Sequence, residues 1–382
     1  MISPRVNFAG LIILAVALLS KPLLWAEWEG SISTEILAHV AEETPSGFFL
    51  ATLDDTILRA VDAESPLTSV HDASERVNAI GHNAASTVVA VGNNGYITYS
   101  SNGGDTWQTA TLSEPLLGDL QGVAYGGGSW VAVGSGADGI TVLRSTDGAS
   151  TWSHVSSPGE GVLNGVTWNG SIFYAAGGDL FEGILLSSAN GSSWAEVSVP
   201  GDFGLLNFVV SDSTGAFLAG GEQATLIRSN GNASNLQLLS VDLSGDLTTA
   251  VTVDAGHWLV GGSELTVFEI KDGGQPNKVF GAVEGAASAD ALAITGADSF
   301  LIFGDFSSFF RPLELRVDRS NPGVVSIRVA NLIWGDRYVL QRSSNLATWE
   351  GQETITANGL TYTWILSVPT GQQSHFYRVI PE

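Results

Sequence analysis

The sequence predicts an all-β chain, a seven-bladed β-propeller followed by a small antiparallel β-sandwich. Three observations carry that expectation. An apolar run recurs seven times at a spacing near forty-two residues. A second run, ahead of it, keeps step. After Phe309-Phe-Arg-Pro312 the beat stops and apolar and polar residues alternate instead. The composition agrees, with 44% hydrophobic and 14% charged residues and 46 Gly, which suits a packed chain of many tight turns.

The chain begins with a targeting pattern. Arg5 supplies a positive start, Phe8 to Ser20 an apolar stretch, and Ala26 a cleavage edge before Glu27. Lys21 and Pro22 interrupt the stretch, which is short for a membrane span. A signal peptide over 1–26 is expected, with export to the periplasm, cell surface or exterior and no membrane span once it is removed. Retention of the segment as an anchor is the other reading. The chain has no cysteine, so disulfides and thiolate metal sites are excluded and packing must hold the fold.

The repeats occupy 27–311. The recurring run reads Phe49-Leu-Ala-Thr52, Val89-Ala-Val-Gly92, Val131-Ala-Val-Gly134, Tyr174-Ala-Ala-Gly177, Phe217-Leu-Ala-Gly220, Trp258-Leu-Val-Gly261 and Leu301-Ile-Phe-Gly304. Intervals between the final residues are 40, 42, 43, 43, 41 and 43. The preceding run includes Val77-Asn-Ala-Ile, Leu120-Gln-Gly-Val, Leu163-Asn-Gly-Val and Leu206-Asn-Phe-Val. Units of four short strands at this period suit a propeller, which leaves only short, protected sheet edges. Closing the ring calls for a strand from the other terminus, and Trp28 to Ser33 is expected to pair with the unit around Leu301 to Phe310.

Three turn octets punctuate the early units: Ser100 to Trp107, Ser145 to Trp152 and Ser187 to Trp194. The middle one, Ser-Thr-Asp-Gly-Ala-Ser-Thr-Trp, is the only one with Asp at its third place. Asn102 and Ala189 stand there in the others. These octets resemble the Asp-box, or BNR, repeat, and the resemblance covers roughly 30 to 311. Among such propellers the chain is most similar to the photosystem II assembly-factor type, and the sialidase superfamily shares the fold and the box. The resemblance implies that the boxes lie at outer blade corners, away from the ligand face. Asp147, Trp107, Trp152 and Trp194 would then be fold determinants.

Residues 312–382 read as further strands, among them Leu313-Glu-Leu-Arg-Val, Val324-Val-Ser-Ile-Arg-Val and Tyr338-Val-Leu-Gln-Arg. With the terminal Phe376-Tyr-Arg-Val they resemble a small fibronectin-like module of exported bacterial proteins.

Charge narrows the function classes. Residues 27–311 hold 33 Asp and Glu against 7 Lys and Arg, whereas the module after them is balanced. So acidic a body repels nucleic acid and anionic lipid. Two readings of the acidity stand open, solubility alone or attraction for cations or a basic partner.

Candidate sites follow from the period. The second residue of the innermost strand is polar in six units: Asn78, Gln121, Asn164, Asn207, Thr248 and Asp290. Propeller geometry sets these round one mouth of the central channel, where they meet channel water or a ligand. Turns between second and third strands add an acidic collar of Asp138, Asp179, Glu182, Glu222, Glu264 and Asp305. Asp54, Asp55, Asn93 and Asn94 belong to the same set of turns. Hairpin turns favour Asp and Asn anyway, although hard cations also take carboxylate oxygens. A metal is left open.

No catalytic residues are assigned and no cofactor is implied. His39, His71, His82, His154, His257 and His375 show no metal spacing. A sialidase would need an arginine cluster for a carboxylate and a pair of opposed acids. Arg59, Arg144 and Arg228 instead recur at matching places where they cover the box turns. The expectation is a non-catalytic binding or assembly scaffold holding a protein segment or other ligand at an acidic, amide-lined mouth. The alternative is sialidase-like glycan cleavage or binding. Oligomeric state is not legible.

Overall fold

The computed structural model describes residues 14–15, 31–32, 38–60, 68–137, 139–179, 181–229, 235–263, 266–271, 273–280, 291–296, 299–303, 308–309, 314–318, 324–330, 337–343, 350–356, 361–367 and 376–381. It contains no α-helix among them. The chain divides into two compact units, one of Ser33–Ser308 and one of Met1–Ile32 with Phe309–Glu382.

The larger unit is a β-propeller. Its first blade runs Ala38–Thr44, Gly47–Thr52, Thr56–Ala60 and Thr68–Asp72. The second runs Val77–His82, Val88–Gly92, Ile97–Ser100 and Gln108–Thr109, and the third Leu120–Gly126, Ser129–Gly136, Gly139–Ser145 and Thr151–Val155. The fourth follows with Val162–Trp168, Phe173–Gly178, Gly183–Ser188 and Ala195–Glu196. Leu206–Ser211, Phe217–Gly221, Leu226–Ser229 and Leu236–Leu239 form the fifth; Leu247–Asp254, His257–Gly262, Thr266–Lys271 and Asn277–Phe280 form the sixth. Within each blade these four strands pair antiparallel in chain order, and Thr111–Leu112 adds a parallel edge strand beside Thr151–Val155 in the third.

The chain thus builds six blades from four consecutive strands, where the beat predicts seven. The seventh repeat contributes the antiparallel pair Ala291–Gly296 and Ser299–Phe303, bridged by Ile302 to Ser308 in the two-residue strand Ser308–Phe309. Among the described residues no fourth consecutive strand follows it in this sheet. First strands touch one another in succession round the ring, and Ala291–Gly296 touches those of the sixth and first blades. Of the expected closing segment Trp28 to Ser33, Ser31–Ile32 is described as a strand and the rest lies outside the described residues.

Packing explains the repeated apolar run. The described second strands are buried over most of their length, and Val88–Gly92 and Phe173–Gly178 are buried throughout, because blade lies against blade on both sheet faces. Each interface is a separate core. Val89, Val91 and Ile97 of the second blade meet Leu120, Trp130 and Trp152 of the third. Val131, Val133 and Val142 meet Leu163, Val166 and Phe173 across the next boundary.

The glycine near the end of the second strand in blades two to five has a steric cause. A Cβ on Gly92, Gly134, Gly177 or Gly221 would stand 1.8 to 2.0 Å from a carbonyl oxygen at or just ahead of the start of its own first strand, that of Arg76, Asp119, Val162 or Leu205. Only hydrogen fits there. The pairing also corrects the register in later blades. Leu206 faces Gly221 and Leu247 faces Gly262, so the equivalent positions are Gly221 and Gly262 rather than Gly220 and Gly261.

The octets close as hydrogen-bonded turns. In the middle one Ser145 Oγ donates to Asp147 Oδ1 (2.8 Å), the Thr151 amide to the same oxygen (3.0 Å) and Trp152 Nε1 to the Ala149 carbonyl (2.9 Å). Hydroxyl donation from Thr151 and Ser150 holds the Asp147 carboxyl well below the usual carboxylate range. In the first octet Asn102 replaces Asp147, accepting from Ser100 Oγ and the Thr106 amide. The third is a residue shorter than its sequence alignment. Its acceptors are Ser188 Oγ and Asn190 Oδ1, so Ala189 does not stand at the Asp place.

In the smaller unit the described strands form two antiparallel sheets. One joins Glu314–Asp318, Val324–Ala330 and Thr361–Ser367; the other joins Arg337–Ser343, Glu350–Thr356 and Phe376–Pro381, with Leu14–Ala15 beside the last.

Candidate functional site

Loops that lead into first strands share one face of the propeller with the turns between second and third strands. The Asn94 amide, in the second blade's turn, donates to Asp119 Oδ1 just ahead of Leu120 (3.0 Å). The Gln223 amide donates to Asp246 Oδ1 just ahead of Leu247 (3.0 Å). Both donors are non-glycine residues with φ near +55°, a left-handed turn that aims the amide across the blade boundary. Asp119 and Asp246 were not among the sequence candidates. Their signal is an Asp directly before the leucine that opens an inner strand.

A repeated β-bulge places five of the six predicted polar residues at one recurring position. Ladder register slips between Val77 and Ala79, Leu120 and Gly122, Leu163 and Gly165, Leu206 and Phe208, and Leu247 and Thr249. Asn78, Gln121, Asn164, Asn207 and Thr248 are the extra residues. The first blade has the same slip between Ala38 and Val40, which places His39 at the equivalent position, also missed by sequence. Asp290 lies outside the described residues.

The asparagines work as blade-to-blade ties. Asn78 Nδ2 donates to the Leu120 carbonyl (3.0 Å) and to Asn93 Oδ1 (2.8 Å). Asn164 Nδ2 reaches the Leu206 carbonyl and Asn207 Nδ2 the Leu247 carbonyl, each at 2.9 Å. A side-chain amide spent on a neighbouring backbone is no longer a donor for a ligand at that proton.

Of the collar, Asp138, Glu264 and Asp305 lie outside the described residues. Asp179 accepts from the Phe181 and Glu182 amides at 2.8 and 2.9 Å, and these bonds hold its carboxyl below the ordinary range. Glu182 is exposed and Glu222 half-buried. Asp54 accepts from Thr52 Oγ1. Entry loops add Glu75, Glu114, Asp119, Glu160, Asp202, Asp242 and Asp246, whereas Arg76 is the cation there among the described residues. None of these carboxylates has a Lys or Arg within ion-pair distance among the described residues. No group of three or more His, Asp or Glu converges as a metal site there either.

The repeated arginines belong to the opposite face. Arg59 Nη1 pairs with Asp105 in the next blade's octet turn at 2.7 Å. Arg144 Nε donates to the Asn190 carbonyl in the fourth blade's turn (3.0 Å), and Arg228 Nη1 to the Gly274 carbonyl in the sixth (2.8 Å). All three clasp adjacent blades, so they are not assembled as a carboxylate clamp at the mouth.

Another ionisable pair bridges the first two inner strands. His82 Nε2 lies 3.7 Å from Glu42 Oε1. Burial, with Glu43 adjacent, pushes the Glu42 carboxyl up to about 8, and burial lowers His82.

No protein-family model matches the chain, and no curated protein does. Solved structures do. "YCF48 from Cyanidioschyzon merolae" is similar over 75% of this chain and 99% of its own, at 14% identity and a TM-score of 0.56. "YCF48 bound to D1 peptide" matches over 75% and 97% at 15% identity and a TM-score of 0.56. The WD40 β-propeller domain of Doa1 matches over 75% and 95% at 11% identity and a TM-score of 0.56. At such identities the likeness is one of fold, and it is to β-propellers.

Proposed function

We propose that the protein is an exported, non-catalytic scaffold of the Asp-box propeller type that holds a protein segment on its acidic mouth. The observation that carries this reading is the set of carboxylates on the entry loops and turns with Arg76 as the cation among them. Carboxylates fixed by a rigid ring, as Asp119 and Asp246 are by cross-blade amides, present their charge without reordering on binding. The similarity to a propeller solved with a bound peptide supports a protein segment as the ligand class. The C-terminal strands are read as a fibronectin-like module that is retained at the cell envelope or cut away.

The test uses the full chain and fluorescently labelled peptides of basic, neutral and acidic composition, read by polarisation. Basic peptides are expected to bind, with affinity reduced at least tenfold by Asp179→Asn, Glu182→Gln and Glu222→Gln together. Failure of every peptide to bind, or binding untouched by the triple change, overturns the reading. Export is checked by the mass and compartment of the mature chain in its host.

A further inference from the structure

Three large apolar side chains on the mouth face stand in water, Leu53 at 44% exposure and two others far more so. Phe181 is 90% exposed and Leu117 is 79% exposed. Neither belongs to a loose excursion. The Phe181 and Glu182 amides both donate to Asp179 Oδ1, and the Asp179 amide donates to the Glu182 carbonyl at 2.9 Å, so the turn carrying Phe181 is bonded at three points. Leu117 follows Leu116, which is 8% exposed and seated against Gly95 and Gly136. An aromatic and an aliphatic side chain presented from fixed backbone lose little conformational freedom on contact.

The two loops are linked through the third blade's turn and the loop at Gly161. Leu116 reaches Gly136 at the end of the third blade's second strand. A Cβ on Gly139, which opens that blade's third strand, would stand 3.9 Å from the Gly161 nitrogen, and Gly161 abuts Gly178 and Asp179 of the Phe181 turn. Leu117 and Phe181 therefore flank the third blade. Glu114 and Asp119 accompany Leu117, and Glu160 and Glu182 accompany Phe181.

We infer that this stretch of the mouth is a docking groove for an extended cationic segment of another protein that sets apolar side chains on Leu117 and Phe181 and Lys or Arg toward the four acids. The inference rests on the proposed binding of a protein segment and adds where it lies and what the segment carries. Charge decides the occupant. A second copy of this chain would bring its own net charge of −24 against the same acids, and an anionic lipid surface would be repelled.

The probes are labelled twelve-residue peptides of Lys and Gly, with none, one or two Leu or Phe residues at varied spacing. The full chain is expected to bind the two-anchor peptide more than tenfold tighter than the Lys-Gly peptide. Leu117→Ala with Phe181→Ala should remove that difference while the Lys-Gly affinity stays within twofold and thermal unfolding is unchanged. Equal affinity for all the basic peptides, or an anchor preference that survives the double change, overturns the groove and leaves the acidic mouth standing. Failure of every peptide overturns both. A concentration-dependent dimer abolished by Phe181→Ala would also sink the groove, assigning these side chains to a second copy.

Discussion

Asn207 donates across a blade boundary to the Leu247 carbonyl, and Asn164 does the same one blade earlier. Removing either amide leaves a part-buried carbonyl unmatched, so Asn164→Ala or Asn207→Ala should cost about 1–3 kcal/mol in urea unfolding. Peptide capture at the rim should persist, because the amide is not part of the proposed groove. Glu42 gives a pH prediction. Its folded carboxyl titrates near 8, above its unfolded value of 4.5, so the unfolded chain releases that proton first as pH rises. Its contribution is complete below about 4.5 and is lost as pH climbs to about 8. His82, lowered by burial, acts in the opposite sense below 6.5. Between pH 6.5 and 8 the thermal midpoint should therefore fall more in the native chain than in Glu42→Gln. Equal slopes would remove Glu42 as the cause. The groups facing this carboxyl are Glu43 and His82, and the neighbouring strand Ala291–Gly296 has no titratable side chain.

At the level of strands and turns, crowding explains what periodicity registers without a reason. The glycine closing a buried second strand recurs because a carbonyl oxygen occupies the space of its missing Cβ. Gly177→Ala, with a built Cβ 1.9 Å from the Val162 oxygen, should cost about 3 kcal/mol or more as blade and loop are forced apart. The middle octet offers a graded test. Asp147→Asn keeps the acceptor that Asn102 and Asn190 supply in the sister turns, and should cost less than about 1 kcal/mol. Asp147→Ala strands the Thr151 amide and should cost about 1–2 kcal/mol, read by chemical denaturation. The third octet also shows why its alignment slipped by one. Ser187 and Ser188 are indistinguishable as letters, and only the hydroxyl that faces the turn amides selects Ser188.

Across the whole propeller, two faces have different work. The octet face is held by arginine clasps from the first, third and fifth blades to their successors, so these arginines are spent within the fold. The mouth face has acids in excess. Capture of a basic segment there should weaken as ionic strength rises from 50 to 500 mM, since exposed charges are screened over about 10 Å at 0.1 M. Salt-independent capture would argue that the acids serve solubility alone.

The sequence by itself determined the repeated four-strand unit, the inner-strand positions of Asn78, Asn164 and Asn207, the turn character of the octets and the acidity of the mouth loops. Those are local matters, set by spacing, propensity and charge. Only the tertiary structure decided that the asparagines spend their amides on the next blade, that six blades take four consecutive strands, and that Leu117 and Phe181 stay in water. Each of these depends on which backbone or solvent lies opposite a side chain once the ring closes, and residues some forty positions apart meet only then.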